Sequence, residues 1–344
     1  MADLSEIAGR LEGLHLFQDR TCGLQAVIAV HDTRRGPPRG GTRLRTYESL
    51  AEAADDASRL AQGMSYKFAV HGLPYGGGKG VILQDEAGAK DRGLLEERLR
   101  AYGRCLERLG GHFATGPDYG VTSREVDVIR EVTTLAIGEH GSQAGPATAA
   151  GVRTCLEAGF RQLGLELTGR SVLVQGVGTV GGPLARQLTE RGVRVLVSDP
   201  APAGAALASE LGLQLVSPDD VFTTPVDALA PCATGELFDS ATIDGLQCRL
   251  VAGAANDQLV GAGRAADLLA ARGVLYLPDF VVNGGAAVLL TARLESGSEP
   301  EVVLAERRIK ATIQAVLARA ERDSRTPYQA AVDLAEERLG APGQ

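Results

Sequence analysis

Two lysines and an aspartate are the residues of this 344-residue chain whose types suit chemistry on a small anionic molecule. Only four of the 35 basic residues are lysines, so arginine serves almost everywhere that a surface cation would suffice. Lys67 and Lys79 lie on either side of a predicted glycine-rich turn at 76–78, and Asp118 follows in TGPDYG. One ammonium can bind a carboxylate while a second, whose pKa the first lowers, acts as a base. From the residues alone, two surface lysines and a helix-capping aspartate are an equal alternative.

A second group of residues has the spacing of a dinucleotide-binding turn. The apolar run SVLVQ, residues 171–175, leads into a G-x-G-x-x-G pattern, and a helical pattern follows it. Glycines at this spacing permit a tight turn, close approach of a pyrophosphate to the backbone, and close packing of the helix on the strand. The turn consists of Gly176, Val177, Gly178, Thr179, Val180 and Gly181.

Asp199 ends the next apolar run, VRVLVS, at the position expected for a residue that contacts ribose. A carboxylate here accepts hydrogen bonds from the ribose diol and repels a 2′-phosphate. The following segment PAPAGA contains no lysine or arginine, so the sequence favours NAD over NADP as the cofactor. The alternatives are a helix N-cap at Asp199 and a doubly wound domain that binds no nucleotide.

Short apolar strands alternate with helical stretches around these residues. Six strands are predicted in the second half of the chain, at 171–175, 193–199, 213–216, 226–230, 248–253 and 274–279. This alternation predicts an α/β fold with a parallel, doubly wound Rossmann sheet. The first half is predicted to be a separate α/β domain, with strands at 24–32 and 80–84 and helices at 49–64 and 94–110.

The domain boundary is predicted near Gly145 and Pro146, where the helical stretch 147–164 leads into the dinucleotide-binding unit. Residues 1–145 are expected to form a substrate and oligomerisation domain, and 146–285 the NAD-binding domain. The stretch 301–323 has the apolar stripe of one long helix. We expect the C-terminal residues 286–344 to return to the first domain.

Composition excludes several classes of protein. Lys and Arg number 35 against 43 Asp and Glu, a net charge of -8 that disfavours nucleic acid as a partner. No run of 18 apolar residues and no targeting segment at the start is present, which favours a cytoplasmic protein without membrane contact. The five scattered cysteines and five histidines have no metal-ligand spacing, so neither a disulfide framework nor a metal site is expected.

Seven segments, in this order along the chain, resemble the glutamate/leucine/phenylalanine/valine family of amino-acid dehydrogenases, and most closely the leucine dehydrogenases. They are GLQAVIAVHDTRRGPPRGGTRLRTYES, GMSYKFAVHGLPYGGGKGVI, TGPDYGV, VLVQGVGTVGG, APCATGELF, VAGAANDQL and YLPDFVVNGG. The order of seven motifs is far more specific than a glycine pattern alone.

The resemblance implies reversible oxidative deamination, in which an L-amino acid, water and NAD give a 2-oxo acid, ammonium and NADH. By this similarity Lys67 would hold the substrate α-carboxylate and Lys79 would activate the attacking water. Asp118 would exchange protons with the amino nitrogen. The resemblance also implies a homo-oligomer that needs no metal. Residues implied to contact substrate or nicotinamide are Gly40, Gly41, Thr148, Cys232, Ala233 and Asn256.

The substrate's side chain is where this sequence departs from its relatives. Arg39 precedes the Gly40–Gly41 turn, where the resembling leucine enzymes have an apolar residue and the glutamate enzymes a lysine. It would suit a dicarboxylic amino acid, whereas Ala287 and Leu290 at the implied other end of the pocket are apolar. A branched-chain substrate is therefore the main prediction, with glutamate or an aromatic amino acid as alternatives. A non-catalytic NAD-binding sensor is the alternative from a different class.

Overall fold

A computed structural model of the chain describes residues 3–138, 143–297 and 301–340. It divides into two units, one formed by Met1–Gly141 with Ala335–Gln344 and the other by Ser142–Leu334. The elements of the first range are α1 (Leu4–Ala8), β1 (Gly13–Asp19), β2 (Leu24–Asp32), β3 (Pro38–Arg39), β4 (Thr42–Arg45), α2 (Leu50–Val70), β5 (Gly76–Leu83), α3 (Glu86–Lys90), α4 (Arg92–Arg108) and α5 (Ser123–Arg130).

Helices and strands alternate in the second unit. Its elements up to the centre of the sheet are α6 (Ala144–Gln162), β6 (Ser171–Gln175), α7 (Gly181–Thr189), β7 (Arg194–Ser198), α8 (Pro202–Leu211), β8 (Gln214–Leu215) and β9 (Ala228–Pro231). The remaining elements of the chain are α9 (Ser240–Gly245), β10 (Leu250–Val251), α10 (Gly263–Ala271), β11 (Leu275–Tyr276), α11 (Asp279–Val282), α12 (Gly285–Ser296), α13 (Val302–Arg322) and α14 (Pro327–Gly340).

The sheet of the first unit is mixed, in the order β1-β2-β5-β3 with β4 also paired to β5. Strand β5 runs antiparallel to β2 and parallel to β3 and β4. Successive residues of a strand point to opposite faces, so Val27 and Ala29 pack against α1 and α2 while Ala26 and Ile28 pack against α4 and α5. The sheet is therefore covered by helices on both faces.

Helix α2 carries Lys67, and local features of its sequence explain why it forms. Ser49 caps it by accepting a hydrogen bond from the amide of Glu52 at 3.1 Å. Its alanines at 53, 54, 57 and 61 recur at helical spacing and form a fully buried stripe. Small side chains at these positions let the helix lie close to the sheet.

The sheet of the second unit is parallel, and its strand order in the described residues is β11-β10-β9-β6-β7-β8. This confirms the predicted doubly wound α/β fold. Strand β6 lies between β9 and β7. The chain adds β7 and β8 on one side of β6 and then β9, β10 and β11 on its other side. In such sheets the crevice at this switch point, beyond the carboxyl ends of the strands, is where ligands bind.

The C-terminal return is shorter than the sequence predicts. Helix α13, which covers most of the predicted helix 301–323, belongs to the second unit, where Glu306 pairs with Arg153 of α6 at 2.6 Å. Only the residues from Ala335 onward join the first unit, where Tyr66 donates a hydrogen bond to Glu336 at 3.1 Å. Amphipathic spacing shows that α13 buries one face, but it does not show against which helix.

Candidate active site

Lys79 lies in a strand rather than beside a turn. The glycines 76–78 that precede it belong to β5, so the predicted glycine-rich turn is wrong. Lys79 pairs with Ala29 of β2, and by strand alternation it shares the α2-facing side of the sheet with Val81. It is only 3% exposed.

The glycines of β5 are needed for close packing within the protein. A Cβ atom on Gly77 would lie 2.2 Å from the amide nitrogen of Ser65 in α2. On the opposite face, a Cβ atom on Gly78 would lie 2.7 Å from the ring of Phe113. These two glycines thus let α2 on one face and Phe113 on the other lie close to β5.

Asp118 meets Lys79 directly. The Lys79 Nζ lies 3.1 Å from Asp118 Oδ1, and the Arg43 Nε donates to Asp118 Oδ2 at 3.0 Å. Asp118 does not cap α5; Thr122 does, in a capping box with Glu125. The alternative role of Asp118 as a helix cap is therefore wrong.

The surroundings of this pair shift both ionisations. Burial lowers the pKa of Lys79, and although the charge of Asp118 opposes the shift, that of Arg43 adds to it. Burial raises the pKa of Asp118, but the charges of Lys79 and Arg43 outweigh it and hold that pKa at about 2. At neutral pH Asp118 is therefore a carboxylate, while Lys79 loses its proton more easily than an ordinary lysine.

Lys67 is also buried, in the last turn of α2. Helix α2 packs on β5, so both candidate lysines are held on adjoining elements of the first unit. Two buried lysines contradict the alternative that both are ordinary surface cations. Buried lysines are uncommon unless a partner or a ligand compensates their charge.

Gly40 and Gly41 join β3 to β4 and pack against the loop bearing Asp118. They do not form the predicted turn, because β3 and β4 both run parallel to β5. The amide of Gly40 donates to the carbonyl of Ala114 at 3.2 Å. A Cβ atom on Gly41 would lie 2.6 Å from the carbonyl oxygen of Pro117 and 2.9 Å from the Cβ of Asp118. Any larger residue at Gly41 would displace the Asp118 loop.

Arg39 stacks its guanidinium over the ring of Tyr75, 4.2 Å from the ring centroid. Its Nε and Nη1 atoms are buried without a hydrogen-bond partner in the part of the chain that the structure describes. Burial lowers the pKa of this arginine. The residue thus neither pairs with a described acid nor extends wholly into solvent.

Three residues that no sequence pattern singled out support Asp118: Arg43 contacts it directly, and Asp56 and Tyr47 lie behind Arg43. The Arg43 Nη1 donates to Asp56 Oδ2 at 3.1 Å, and the Tyr47 hydroxyl donates to the same oxygen at 2.6 Å. Alternation along β4 could have shown that Arg43 and Leu44 face opposite sides of the sheet. It could not show that the side of Arg43 is covered by α2.

The dinucleotide turn lies in the second unit, between β6 and α7. Gly176 has a φ of +85°, and a Cβ atom there would lie 2.7 Å from the Cβ of Ala233. A Cβ atom on Gly181 would lie 1.8 Å from the carbonyl oxygen of Gly176, whereas one on Gly178 would meet no atom within 4 Å. Two glycines are therefore required by the protein itself, and the third borders open space.

Asp199 follows β7 and contacts this turn. Its Oδ2 accepts a hydrogen bond from the amide of Val177 at 2.8 Å, and its Oδ1 accepts one from the amide of Ala201 at 2.8 Å. Ala201 and not Asp199 occupies the N-cap position of α8, so the predicted alternative of an N-cap at Asp199 is wrong. Each carboxylate oxygen retains a further lone pair for a ligand hydroxyl.

The other residues proposed for the nicotinamide end also lie in the second unit. Thr148 Oγ1 accepts from the amide of Ala286 at 3.1 Å and so joins α6 to the start of α12. The amide of Cys232 donates to the carbonyl of Gln175 at 2.7 Å, at the carboxyl end of β6. Burial raises the pKa of the Cys232 thiol to about 12, so the thiol stays protonated at neutral pH.

Asn256 has a partner that the sequence analysis did not identify. The side-chain nitrogen of Asn283 donates to Asn256 Oδ1 at 2.8 Å and to the carbonyl of Ala254 at 3.1 Å. Asn283 begins the NGG segment quoted above, but nothing in the spacing indicated that it meets Asn256. Ala287 and Leu290 lie nearby along α12, and each is partly exposed.

The described residues contain no group of three His, Cys, Asp or Glu side chains that could hold a metal. Within the same residues, no helix is both long and apolar enough to cross a membrane. Of the five histidines, all interpreted from the sequence as structural, His71 is buried and His140 lies outside the described residues.

Comparison with known protein families accounts for nearly the whole chain. Residues 14–134 match the model of the Glu/Leu/Phe/Val dehydrogenase dimerisation domain. Residues 141–215 and 203–339 match that of Glutamate/Leucine/Phenylalanine/Valine dehydrogenase. The chain belongs to this family. It is an amino-acid dehydrogenase, as the order of its motifs predicted.

Individual relatives agree with this assignment. The leucine dehydrogenase of Bacillus subtilis is 39% identical over 338 residues, covering 95% of this chain and 91% of its own. The L-tryptophan dehydrogenase of Nostoc punctiforme is 37% identical over 321 residues, 92% of this chain and 90% of its own, and its crystal structure gives a TM-score of 0.77. A hetero-hexameric glutamate dehydrogenase of Thermus thermophilus gives a TM-score of 0.81 at 27% identity, over 97% of this chain and 90% of that one.

Proposed function

We propose that the dehydrogenase catalyses the NAD-dependent, reversible oxidative deamination of an apolar L-amino acid, with leucine or another branched-chain residue as the main substrate. The observation that carries the proposal is the buried pair of Lys79 and Asp118, with Lys67 buried on the adjoining helix. Relatives named for leucine and tryptophan support an apolar substrate.

The residues of the first unit supply the proton chemistry. Lys67 binds the substrate α-carboxylate with its ammonium group. Lys79, whose pKa is lowered, takes a proton from the water that attacks the imine carbon, and the Asp118 carboxylate, held beside it, exchanges protons with the amino nitrogen. The amino acid, water and NAD are thereby converted to the 2-oxo acid, ammonium and NADH.

The second unit fits NAD on three grounds. Gly178 borders open space at the start of α7, where a pyrophosphate can approach backbone amides. Asp199 offers free lone pairs to a ribose diol, and its charge opposes a 2′-phosphate. When bound, NAD accepts the hydride from the substrate Cα. Thr148, Cys232, Ala233 and Asn256 are the residues proposed to orient its nicotinamide end.

A second candidate substrate is a dicarboxylic amino acid such as glutamate. It is favoured by one observation, the buried Nε and Nη1 atoms of Arg39, which lack hydrogen-bond partners among the described residues. The stacking of Arg39 on Tyr75 and the apolar Ala287 and Leu290 favour the apolar substrate instead. An aromatic amino acid would also suit the apolar side chains of Ala287 and Leu290.

We further propose that the protein is a homo-oligomer. Residues 14–134 match a family model described as a dimerisation domain, and the Thermus thermophilus relative is described as hetero-hexameric. Light scattering of the purified protein would give its mass in solution, and a monomer would contradict this proposal.

An absorbance assay of NADH formation tests the function. Leucine, valine, phenylalanine, tryptophan and glutamate are each supplied with NAD and, in parallel, with NADP. The proposal expects the highest kcat/KM for a branched-chain amino acid with NAD. A preference for glutamate would establish the second candidate. NAD binding without turnover of any of the five amino acids would contradict the proposed substrate and point to an unusual substrate or to a non-catalytic sensor.

A further inference from the structure

Arg43 connects the proposed catalytic aspartate to the helix on the other side of the site. Its Nε donates to Asp118 Oδ2 at 3.0 Å, and its Nη1 lies 3.2 Å from Asp56 Oδ1 and 3.1 Å from Asp56 Oδ2. Only 13% of the Arg43 side chain is exposed. The planar guanidinium, with donors in fixed directions, thus holds two carboxylates from two different elements.

The contacts divide the two oxygens of Asp118 between two cations. Oδ2 accepts from Arg43, which leaves Oδ1 to accept from Lys79. Without Arg43 the carboxylate could rotate about its Cβ–Cγ bond and present either oxygen to Lys79. Asp56 is fixed in turn by the Tyr47 hydroxyl and by Arg59.

We propose that Arg43 is a positioning residue for the deamination reaction: it fixes the orientation of Asp118 and thereby the placement of Lys79. This inference rests on the proposed function of Lys79 and Asp118. It adds a residue on β4 that needs no contact with the substrate. Asp56 is its anchor on α2.

The charges around Lys79 determine the direction in which the loss of Arg43 shifts its pKa. The groups that act on it are Asp118 from the loop before α5, Arg43 from β4 and Asp56 from α2. Arg43 lowers the pKa of both Lys79 and Asp118. Removal of its charge therefore raises the pKa of both groups, and the rising limb of kcat/KM against pH moves to higher pH.

The test compares Arg43→Met and Arg43→Lys with the wild-type enzyme over a range of pH. We expect Arg43→Met to lower kcat about 10- to 100-fold near neutral pH, the size of loss that a small misplacement of a reacting group produces. The amino-acid KM changes less than kcat, and the rising limb moves upward in pH. Arg43→Lys keeps the charge but cannot contact Asp118 and Asp56 through two separate nitrogens. Because the charge remains, the rising limb of its kcat/KM profile stays near the pH of the wild type.

A matched control separates positioning from general loss of stability. Arg98 is a buried arginine of the same unit that donates to both oxygens of Asp85, at 2.7 and 2.8 Å, away from the Lys79 pair. Arg98→Met is expected to lower the melting temperature and leave the pH limb unchanged. If Arg43→Met has the wild-type limb and loses no more kcat than Arg98→Met, the inference is overturned.

Two further measurements keep the inference testable in other circumstances. Should Arg43→Met not fold, Asp56→Asn, which removes the anchor of Arg43, is expected to lower kcat at unchanged KM, and an unchanged kcat overturns the inference.

Should the wild-type enzyme turn over no amino acid, the proposed function fails separately. The pKa of Lys79, read by NMR from the pH dependence of its labelled side chain with exposed Lys90 as reference, then decides: an identical pKa in Arg43→Lys and Arg43→Met overturns the role of Arg43.

Discussion

At the scale of single residues, the proposed chemistry depends on Lys79 as the base. Its pKa is lowered by burial, so more of it is neutral near pH 8 than of an ordinary lysine, and activity should rise as the pH passes through that lowered value. Lys79→Met removes the base, and we expect kcat/KM to fall about 10²- to 10⁴-fold. NAD binding, measured by calorimetry, should be retained, because the dinucleotide turn belongs to the other unit.

The control for this prediction is Lys90→Met. Lys90 is an exposed lysine of the same unit that pairs with the exposed Glu86, so its loss should leave kcat/KM unchanged. A Lys79→Met enzyme with wild-type turnover would show that the mechanism is wrong even though the enzyme class is right.

The second prediction at the residue scale concerns Arg39 and the choice of substrate. Arg39→Leu removes two buried nitrogen atoms that have no hydrogen-bond partner in the described part of the chain, and it extends the apolar surface. We therefore expect kcat/KM for leucine to stay equal or rise. Any activity with glutamate should fall, because its side-chain carboxylate loses its cationic partner. The ratio of the two kcat/KM values is the measurement. Glutamate turnover that survives the substitution would remove Arg39 from substrate recognition.

At the scale of elements, the contact of α2 with β5 positions both lysines. Gly77→Ala places a Cβ 2.2 Å from the Ser65 nitrogen and 2.5 Å from the Ala61 carbonyl oxygen, so the helix and the strand must separate. We expect a loss of about 1–3 kcal/mol in unfolding free energy, together with reduced turnover.

Gly63→Ala is the matched substitution for this contact. Gly63 lies in α2, and a Cβ there would meet no atom within 4 Å. Because alanine favours a helix over glycine by about 0.8–1.0 kcal/mol, this variant should be as stable as the wild type or more so. Equal stability of the two alanine variants in urea unfolding would contradict the packing argument.

The dinucleotide turn allows a similar comparison. Gly178→Ala fills space that the protein leaves open, so the free energy of unfolding should change little while NAD binding weakens about tenfold or more. Gly181→Ala would place a Cβ 1.8 Å from the Gly176 carbonyl oxygen and should destabilise the fold itself. Calorimetric titration with NAD and thermal unfolding distinguish the two. Undiminished NAD affinity in Gly178→Ala would refute pyrophosphate binding at this turn.

At the scale of the whole molecule, we expect acid to destabilise the protein by protonating buried carboxylates of the first unit. Burial raises the pKa of Glu125, but hydrogen bonds from Thr122 and Arg92 outweigh it and hold that pKa at about 2, against an ordinary value of 4.5. A depressed carboxyl pKa stabilises the folded state above the ordinary value, and this stability is lost as the pH falls from about 4.5 towards 2. Asp118, in the same unit, behaves alike.

Glu125→Gln tests this dependence. The variant should be less stable than the wild type at pH 7, and its stability should decline less between pH 5 and pH 2.5, as measured by urea unfolding. Glu86→Gln, at an exposed glutamate, serves as control and should follow the wild-type curve. Parallel curves for Glu125→Gln and the wild type would show that Glu125 does not carry the acid sensitivity.

The sequence by itself determined the features that arise from neighbouring residues. It predicted β6 at 171–175, where the structure has it, and β2 at 24–32, because a run of apolar or alternating residues is a local signal. It predicted the six-stranded second sheet, because the order of strands and helices restricts how a parallel sheet can be connected. It also selected Lys79 and Asp118 by residue type.

Only the tertiary structure decided which distant residues meet. The run 76–78 has the composition of a turn, yet it is a strand because it pairs with β2 and β3. Ser65 and Phe113 explain why glycine is required there. In the sequence Arg43 resembles a surface cation, but in the structure α2 covers it. The apolar stripe of α13 predicts one buried face, and only the structure shows that this helix packs against α6. Each of these depends on contacts between segments far apart in the chain, which local propensity and spacing do not encode.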